Sequence, residues 1–190
     1  MNHLEIELKS ALTKEEYQEL LSHFEKAPLL EQLNIYFDTK DRQLQEKKMA
    51  LRIRVENKQA ELTLKVPQAV GNMEYNYLLT SQEYRDILDH GVFPECEGIA
   101  LLAQKGVEIR SLEGMGQLFN RRYEMDTEIG LMALDASMYL ENTDYELELE
   151  VHDYETGQKN FAQFLEEHGL PYRKIDTKIA RFFAARDKSA

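Results

Sequence analysis

Charged and apolar residues alternate along Leu4-Glu5-Ile6-Glu7-Leu8-Lys9 and again along Tyr145-Glu146-Leu147-Glu148-Leu149-Glu150-Val151. Successive side chains of a β-strand point to opposite faces, so each run makes a row of charge backed by an apolar row. Glu5, Glu7 and Lys9 share one face, and Glu146, Glu148 and Glu150 share another. The same period recurs in Leu51-Arg52-Ile53-Arg54-Val55-Glu56 and in Glu61-Leu62-Thr63-Leu64-Lys65-Val66, with Asn57-Lys58-Gln59 as the hairpin connection between them. Further extended segments are expected at 35–39, 73–79, 107–112, 118–129 and 131–140, about eight in all, with Gly130 at the turn between the last two. In the 118–129 segment the even positions Asn120, Arg122, Glu124, Asp126 and Glu128 are polar, and that parity selects Arg122 over Arg121.

Between the strands the period changes. Thr13 and Glu16 form a capping box ahead of Tyr17, Leu20, Leu21 and Phe24. Helices are expected at 81–90 and 95–105, each closed by a glycine (Gly91, Gly106), at 158–168, and at 177–187, where Ile179, Phe182 and Phe183 make the apolar stripe. These amphipathic helices need apolar surface, which the strands offer on the faces opposite their charges. The charged faces therefore point either to water on an open sheet or into the lumen of a closed barrel, which about eight antiparallel strands suffice to form.

At 190 residues the chain is long enough for one well-buried domain. Its single cysteine, Cys96, excludes an internal disulfide framework and a thiolate metal cluster, and fits a reducing compartment. No signal-like start or membrane-length apolar run is present, so a cytoplasmic protein without membrane association is expected. The net charge of −12 argues against a nucleic-acid surface, but it leaves room for a small polyphosphate wherever the 23 Lys and Arg residues gather. The ten tyrosines fall mostly on apolar faces and read as core, with Tyr36 and Tyr75 as exceptions, and the five histidines show no ligand spacing. The polar rows are unusual in content: one is purely acidic and another is Arg-x-Arg. Like charges side by side cost free energy unless something bridges them, as a metal and an anion would.

Glu5-x-Glu7-x-Lys9, Tyr36-Phe37-Asp38-Thr39, Leu51-Arg52-Ile53-Arg54, Thr63-Leu64-Lys65, Leu134-Asp135, the Tyr145–Glu150 run and Lys178-Ile179-Ala180-Arg181, in that order, resemble the CYTH superfamily of triphosphate tunnel metalloenzymes. That superfamily includes class IV adenylate cyclases, thiamine triphosphatases and inorganic triphosphatases. The resemblance implies an α+β fold, an eight-stranded antiparallel β-barrel forming a tunnel with helices outside, as a single domain over residues 1–190. It implies Mg²⁺ or Mn²⁺ held by Glu5, Glu7, Glu146, Glu148 and Glu150, with Asp135 as a weaker ligand. It further implies phosphate contacts from Lys9, Arg52, Arg54, Lys65, Arg122 and Lys178, the first four acting as the catalytic cations, with Thr63 on the same face. Hard oxygen ligands suit these metals and Lys and Arg suit phosphate. The expected activity is hydrolysis of a small triphosphate, inorganic or organic such as thiamine triphosphate, by a monomer or homodimer. A class IV adenylate cyclase, a non-catalytic polyphosphate or nucleotide module and a lipocalin-like carrier are the alternatives. Asn120-Arg121-Arg122 departs from the Thr-x-Arg often found in relatives, and Arg181 is left between tunnel and surface.

Overall fold

The computed structural model describes residues 2–189. Nine strands form among them: β1 (Asn2–Glu5), β2 (Glu7–Leu12), β3 (Leu29–Asp38), β4 (Ala50–Glu56), β5 (Gln59–Pro67), β6 (Asn72–Leu79), β7 (Glu113–Thr127), β8 (Gly130–Tyr139) and β9 (Asn142–Glu150). Six α-helices accompany them: α1 (Lys14–Leu20), α2 (Gln43–Glu46), α3 (Ser81–His90), α4 (Glu97–Gln104), α5 (Tyr154–Glu167) and α6 (Lys178–Ser189). The chain divides into two compact units, residues 1–4 with 33–117, and residues 5–32 with 118–190.

In the first unit the strand order is β1-β6-β5-β4-β3, with antiparallel pairing of β3 to β4, β4 to β5 and β5 to β6. The β4–β5 hairpin closes with Glu56 opposite Gln59, so only Asn57 and Lys58 turn the chain, both at positive φ (49° and 65°). That is the backbone of the tight turns whose twist matches the strands they join. Ile53, Leu51, Leu62 and Leu64 are almost fully buried and form one core with Ile87 of α3 and with Ile99 and Leu102 of α4. Thr80 caps α3 through a complete capping box with Glu83. The alternate residues Arg52, Arg54, Thr63 and Lys65 occupy the opposite face.

The second unit has the order β7-β8-β9-β2, antiparallel throughout. Met132, Leu134, Leu147 and Leu149 are fully buried and pack with Tyr17 and Leu20 of α1 and with Phe161 and Leu165 of α5. The same residues that alternate with this core carry the charges of β8 and β9, so one parity rule places both the oil and the acid.

Several boundaries differ from the sequence reading. The first charged run splits into two strands at Ile6, whose side chain joins the second unit's core and whose carbonyl accepts from Val151 N at 2.9 Å. Strand β3 begins six residues before Ile35 and β7 five before Leu118, across Glu113-Gly-Met-Gly-Gln, which has little β character of its own. The segment 107–112 is not extended: Ile109–Ser111 form a 3₁₀ turn, with Val107 and Leu112 buried in the first core. Helix α5 begins at Tyr154 because Asp153 caps it, accepting from Thr156 N at 2.8 Å. Helix α2 is organised by the buried Asp38 carboxylate, which accepts from Thr39, Leu44 and Gln45 N at 2.7, 2.9 and 3.1 Å.

Candidate active site

Register sets the first group of charged side chains. Lys9 on β2 lies opposite Glu148 on β9, Ala133 on β8 is opposite Glu148, Asp135 is opposite Glu146, and Arg122 on β7 is opposite Asp135. Residues opposite one another in a ladder share a face, so four strands deliver these side chains to one place. Asp135, Glu146 and Glu148 are buried, and a carboxylate oxygen of each lies within 4.8 Å of the others. Buried like charges require counterions. Arg122 donates to both Asp135 oxygens, from Nε at 2.9 Å and Nη2 at 2.7 Å, and also bonds Glu148. Lys178, the first residue of α6, places Nζ 2.8 Å from Asp135 Oδ2 and 2.8 Å from Glu148 Oε1, and bonds Glu146 as well. Arg181, one turn on, bonds Glu146 and reaches Asp144 at 2.9 Å. Lys9 lies 3.1 Å from Glu7 and 3.8 Å from Glu148.

These pairings move the ionisation equilibria in different directions. Burial and the Glu148 charge push Glu146 up to about 7, against the pull of Lys178 and Arg181. Burial acts upward on Glu148 too, but Lys178, Arg122 and Lys9 together hold it well below the carboxylate range. Asp135 is likewise held low against burial by Arg122 and Lys178. Against the downward pull of burial, Glu7 and Glu148 push Lys9 up to about 12.

Behind Asp135 lies a buried amide network. Asn120 Nδ2 donates to Asp135 Oδ1 at 3.1 Å and to Gln32 Oε1 at 3.2 Å, and its Oδ1 accepts from Ser137 Oγ at 2.9 Å. Asn120 shares the even face of its strand with Arg122, so parity was sufficient to find it. Gln32 lies in the part of β3 that has no strand signature and carried no signal.

The structure thus gathers Asp135, Glu146, Glu148, Arg122, Lys9 and Lys178. Glu7 and Glu150 face each other across the β2–β9 ladder, half-buried, and Glu5 is buried at the end of β1. None of these three belongs to the group of oxygens within 4.8 Å.

The first unit carries the second group. Arg52 is opposite Tyr36 and Thr63, Arg54 opposite Asn34 and Glu61, and Lys65 opposite Glu74. Lys65 Nζ lies 2.9 Å and Arg52 Nη2 3.9 Å from Glu74 Oε1, and Arg54 Nε donates to Asn34 Oδ1 at 3.2 Å. Glu74, which the sequence reading missed, is lowered by Lys65 and Arg52 against an upward push from burial. Three donors here, Arg52 Nε, Thr63 Oγ1 and Asn34 Nδ2, are buried with no hydrogen-bond partner among the described residues. Such orphans are costly, and an anion's oxygens would satisfy them. Tyr36 is buried beside Arg52 on this face, whereas Tyr75 packs against the core on the other.

The CYTH domain model matches residues 3–183. The chain belongs to the CYTH family. The candidate triphosphatase YjbK of Bacillus subtilis (strain 168) is 36% identical to it over 190 residues, covering 98% of this chain and 97% of that one. A crystal structure described as a candidate adenylate cyclase of Bacillus halodurans superposes with a TM-score of 0.91 at 34% identity, covering 96% of this chain and 98% of the other. HpAC1 of Hippeastrum, a candidate adenylyl cyclase described as having a dominant triphosphatase activity, gives a TM-score of 0.82 at 25% identity and 96% coverage of both chains. The CYTH chain described here therefore shares its fold with these two solved structures. Among its described residues no helix is long and apolar enough to cross a membrane.

Proposed function

We propose that this CYTH protein hydrolyses a small triphosphate with the help of a divalent cation. The observation that carries the proposal is the buried carboxylate trio Asp135, Glu146 and Glu148. Three hard oxygen donors fit Mg²⁺ or Mn²⁺, and burial together with the neighbouring Glu148 charge pushes Glu146 up, so the two carboxylates gain from a shared cation. Glu146 and Glu148 are the principal ligands in this reading, with Glu5, Glu7 and Glu150 completing the acidic set. Asp135, bonded by Arg122, Asn120 and Lys178, is the weaker third ligand and also holds Arg122 in place. When bound, the metal supplies Lewis-acid polarisation of phosphoryl oxygens.

The remaining chemistry falls to this chain's cations. Arg52, Arg54 and Lys65 bind phosphate oxygens, and the orphaned Arg52 Nε, Thr63 Oγ1 and Asn34 Nδ2 find their acceptors there. Lys9, Arg122 and Lys178 offer phosphate-binding cations at the carboxylate cluster. Phosphoryl transfer needs positioning and charge stabilisation more than a nucleophilic side chain. Water adds to the terminal phosphorus, the bridging P–O bond breaks, and orthophosphate, a proton and the remaining diphosphate leave, the last being pyrophosphate when the substrate is inorganic triphosphate.

The likeness to chains described as adenylate cyclases keeps cyclisation of ATP as the competing reading. One assay separates the two: the purified protein is incubated with inorganic triphosphate, thiamine triphosphate or ATP and either metal, and phosphate, pyrophosphate and cyclic AMP are resolved. Orthophosphate release from a triphosphate that stops on chelation is the expected result. Cyclic AMP as the main product, or binding without turnover, would overturn the proposal.

A further inference from the structure

The cations around the trio are held very differently. Arg122 is anchored by the bidentate pairing with Asp135 and by Glu124 at 3.5 Å, in the middle of a strand. Arg181 has Asp144 at 2.9 Å and the Asp176 carbonyl at 2.7 Å besides Glu146. The Lys178 ammonium, in contrast, sits among the trio itself, in contact with all three carboxylates. It also stands at the amino-terminal end of α6, where the helix dipole disfavours a cation, so these carboxylates are what keep it there.

The rest of α6 is fixed independently. Phe182 and Phe183 are buried, Phe182 meets the Tyr139 ring at 6.4 Å, and Thr177 Oγ1 caps the helix by accepting from Ala180 N. The approach to the helix is pinned to β2, where Arg173 N donates to Ser10 Oγ and Arg173 O accepts from Ala11 N, both at 2.9 Å. The long Lys178 stem can therefore swing while its helix stays docked. Charge points the same way. Three carboxylates already face four cationic side chains, Lys9, Arg122, Lys178 and Arg181, so a divalent ion added without any departure would leave this dry region with excess positive charge.

We infer that Lys178 is an exchangeable counterion: its ammonium occupies the carboxylate trio until a divalent cation takes that place, and it is then released to a phosphate oxygen of the substrate. This rests on the metal-binding reading above. It makes Lys178 a competitor of bare metal and a partner of metal with triphosphate.

Free Mn²⁺, followed by electron paramagnetic resonance without triphosphate, tests it on wild type, Lys178→Met and Glu148→Gln, each checked for folding by circular dichroism. Removing the competing ammonium should tighten Mn²⁺ binding roughly tenfold or more, and Glu148→Gln should lose it. Lys178→Gln replaces the methionine variant if that fails to fold. In wild type, Mn²⁺ should also speed acetylation of Lys178, read by mass spectrometry, as the amine leaves its carboxylates. Equal or weaker Mn²⁺ binding in a folded Lys178 variant, or unchanged acetylation despite bound Mn²⁺, overturns the exchange and leaves the metal reading standing. No Mn²⁺ binding in any protein, or wild-type binding in Glu148→Gln, overturns both.

Discussion

Glu74 sits at the meeting point of Lys65 and Arg52, and its carboxyl is held below the usual value by them in spite of burial. A carboxyl depressed in the folded state contributes stability that is present above its unfolded pKa of about 4.5 and is lost as the pH falls through the folded value. Glu74→Gln should therefore be less stable than wild type at pH 7, and the gap should narrow as the pH is lowered from 4.5 through the folded value. Urea unfolding across that range measures this, and a gap independent of pH would show that the charge pairing is not what matters. On the same face, Arg52→Ala and Lys65→Ala should lower triphosphate turnover by roughly 10³-fold or more, the scale of a cation acting on transferring phosphoryl oxygens. Far-UV circular dichroism should be unchanged. Turnover near wild type in both would make this row a solvated strand face.

At the scale of elements, α5 approaches the sheet through Gly157. A Cβ there would lie 2.7 Å from Val151 Cγ2, inside contact distance. Gly157→Ala should destabilise the protein by about 1–3 kcal/mol, as overpacking does. Adding Val151→Ala should recover part of that loss in thermal melts; additive losses would place the strain elsewhere. Gly130 is more constrained still, with φ 140° and a virtual Cβ 2.3 Å from the Glu150 carbonyl oxygen. These elements differ in how far their sequences announce them. Strands β4, β5 and β9 alternate strictly, so their faces and even their buried carboxylates were legible. Gly91 marked the end of α3 for the same local reason, whereas the Thr80–Glu83 capping box at its start went unread. The early parts of β3 and β7 were not legible, since their pairing is imposed by neighbouring strands rather than by β-forming residues. Nor was the break at Ile6, where a single side chain turns toward a core that exists only in three dimensions. The central place of Asp135 was underweighted because its worth comes from Arg122, Asn120 and Lys178, which are distant in sequence.

For the molecule as a whole, metal that binds only the folded state must stabilise it by mass action. At a hundredfold excess over the dissociation constant the gain is about 2.7 kcal/mol, which for a chain of this length raises the melting temperature by roughly 5–10 °C. Scanning calorimetry with and without millimolar Mn²⁺ should show that rise in wild type and lose it in Glu148→Gln. The central claim is that the carboxylate trio is where a divalent cation meets a triphosphate. Crystals soaked with Mn²⁺ and triphosphate test it directly through the anomalous signal of manganese. The account predicts a peak within bonding distance of Glu146 and Glu148 oxygens, with the Lys178 ammonium moved off the trio. A peak bound to other side chains, with Lys178 still seated among Asp135, Glu146 and Glu148, would contradict it.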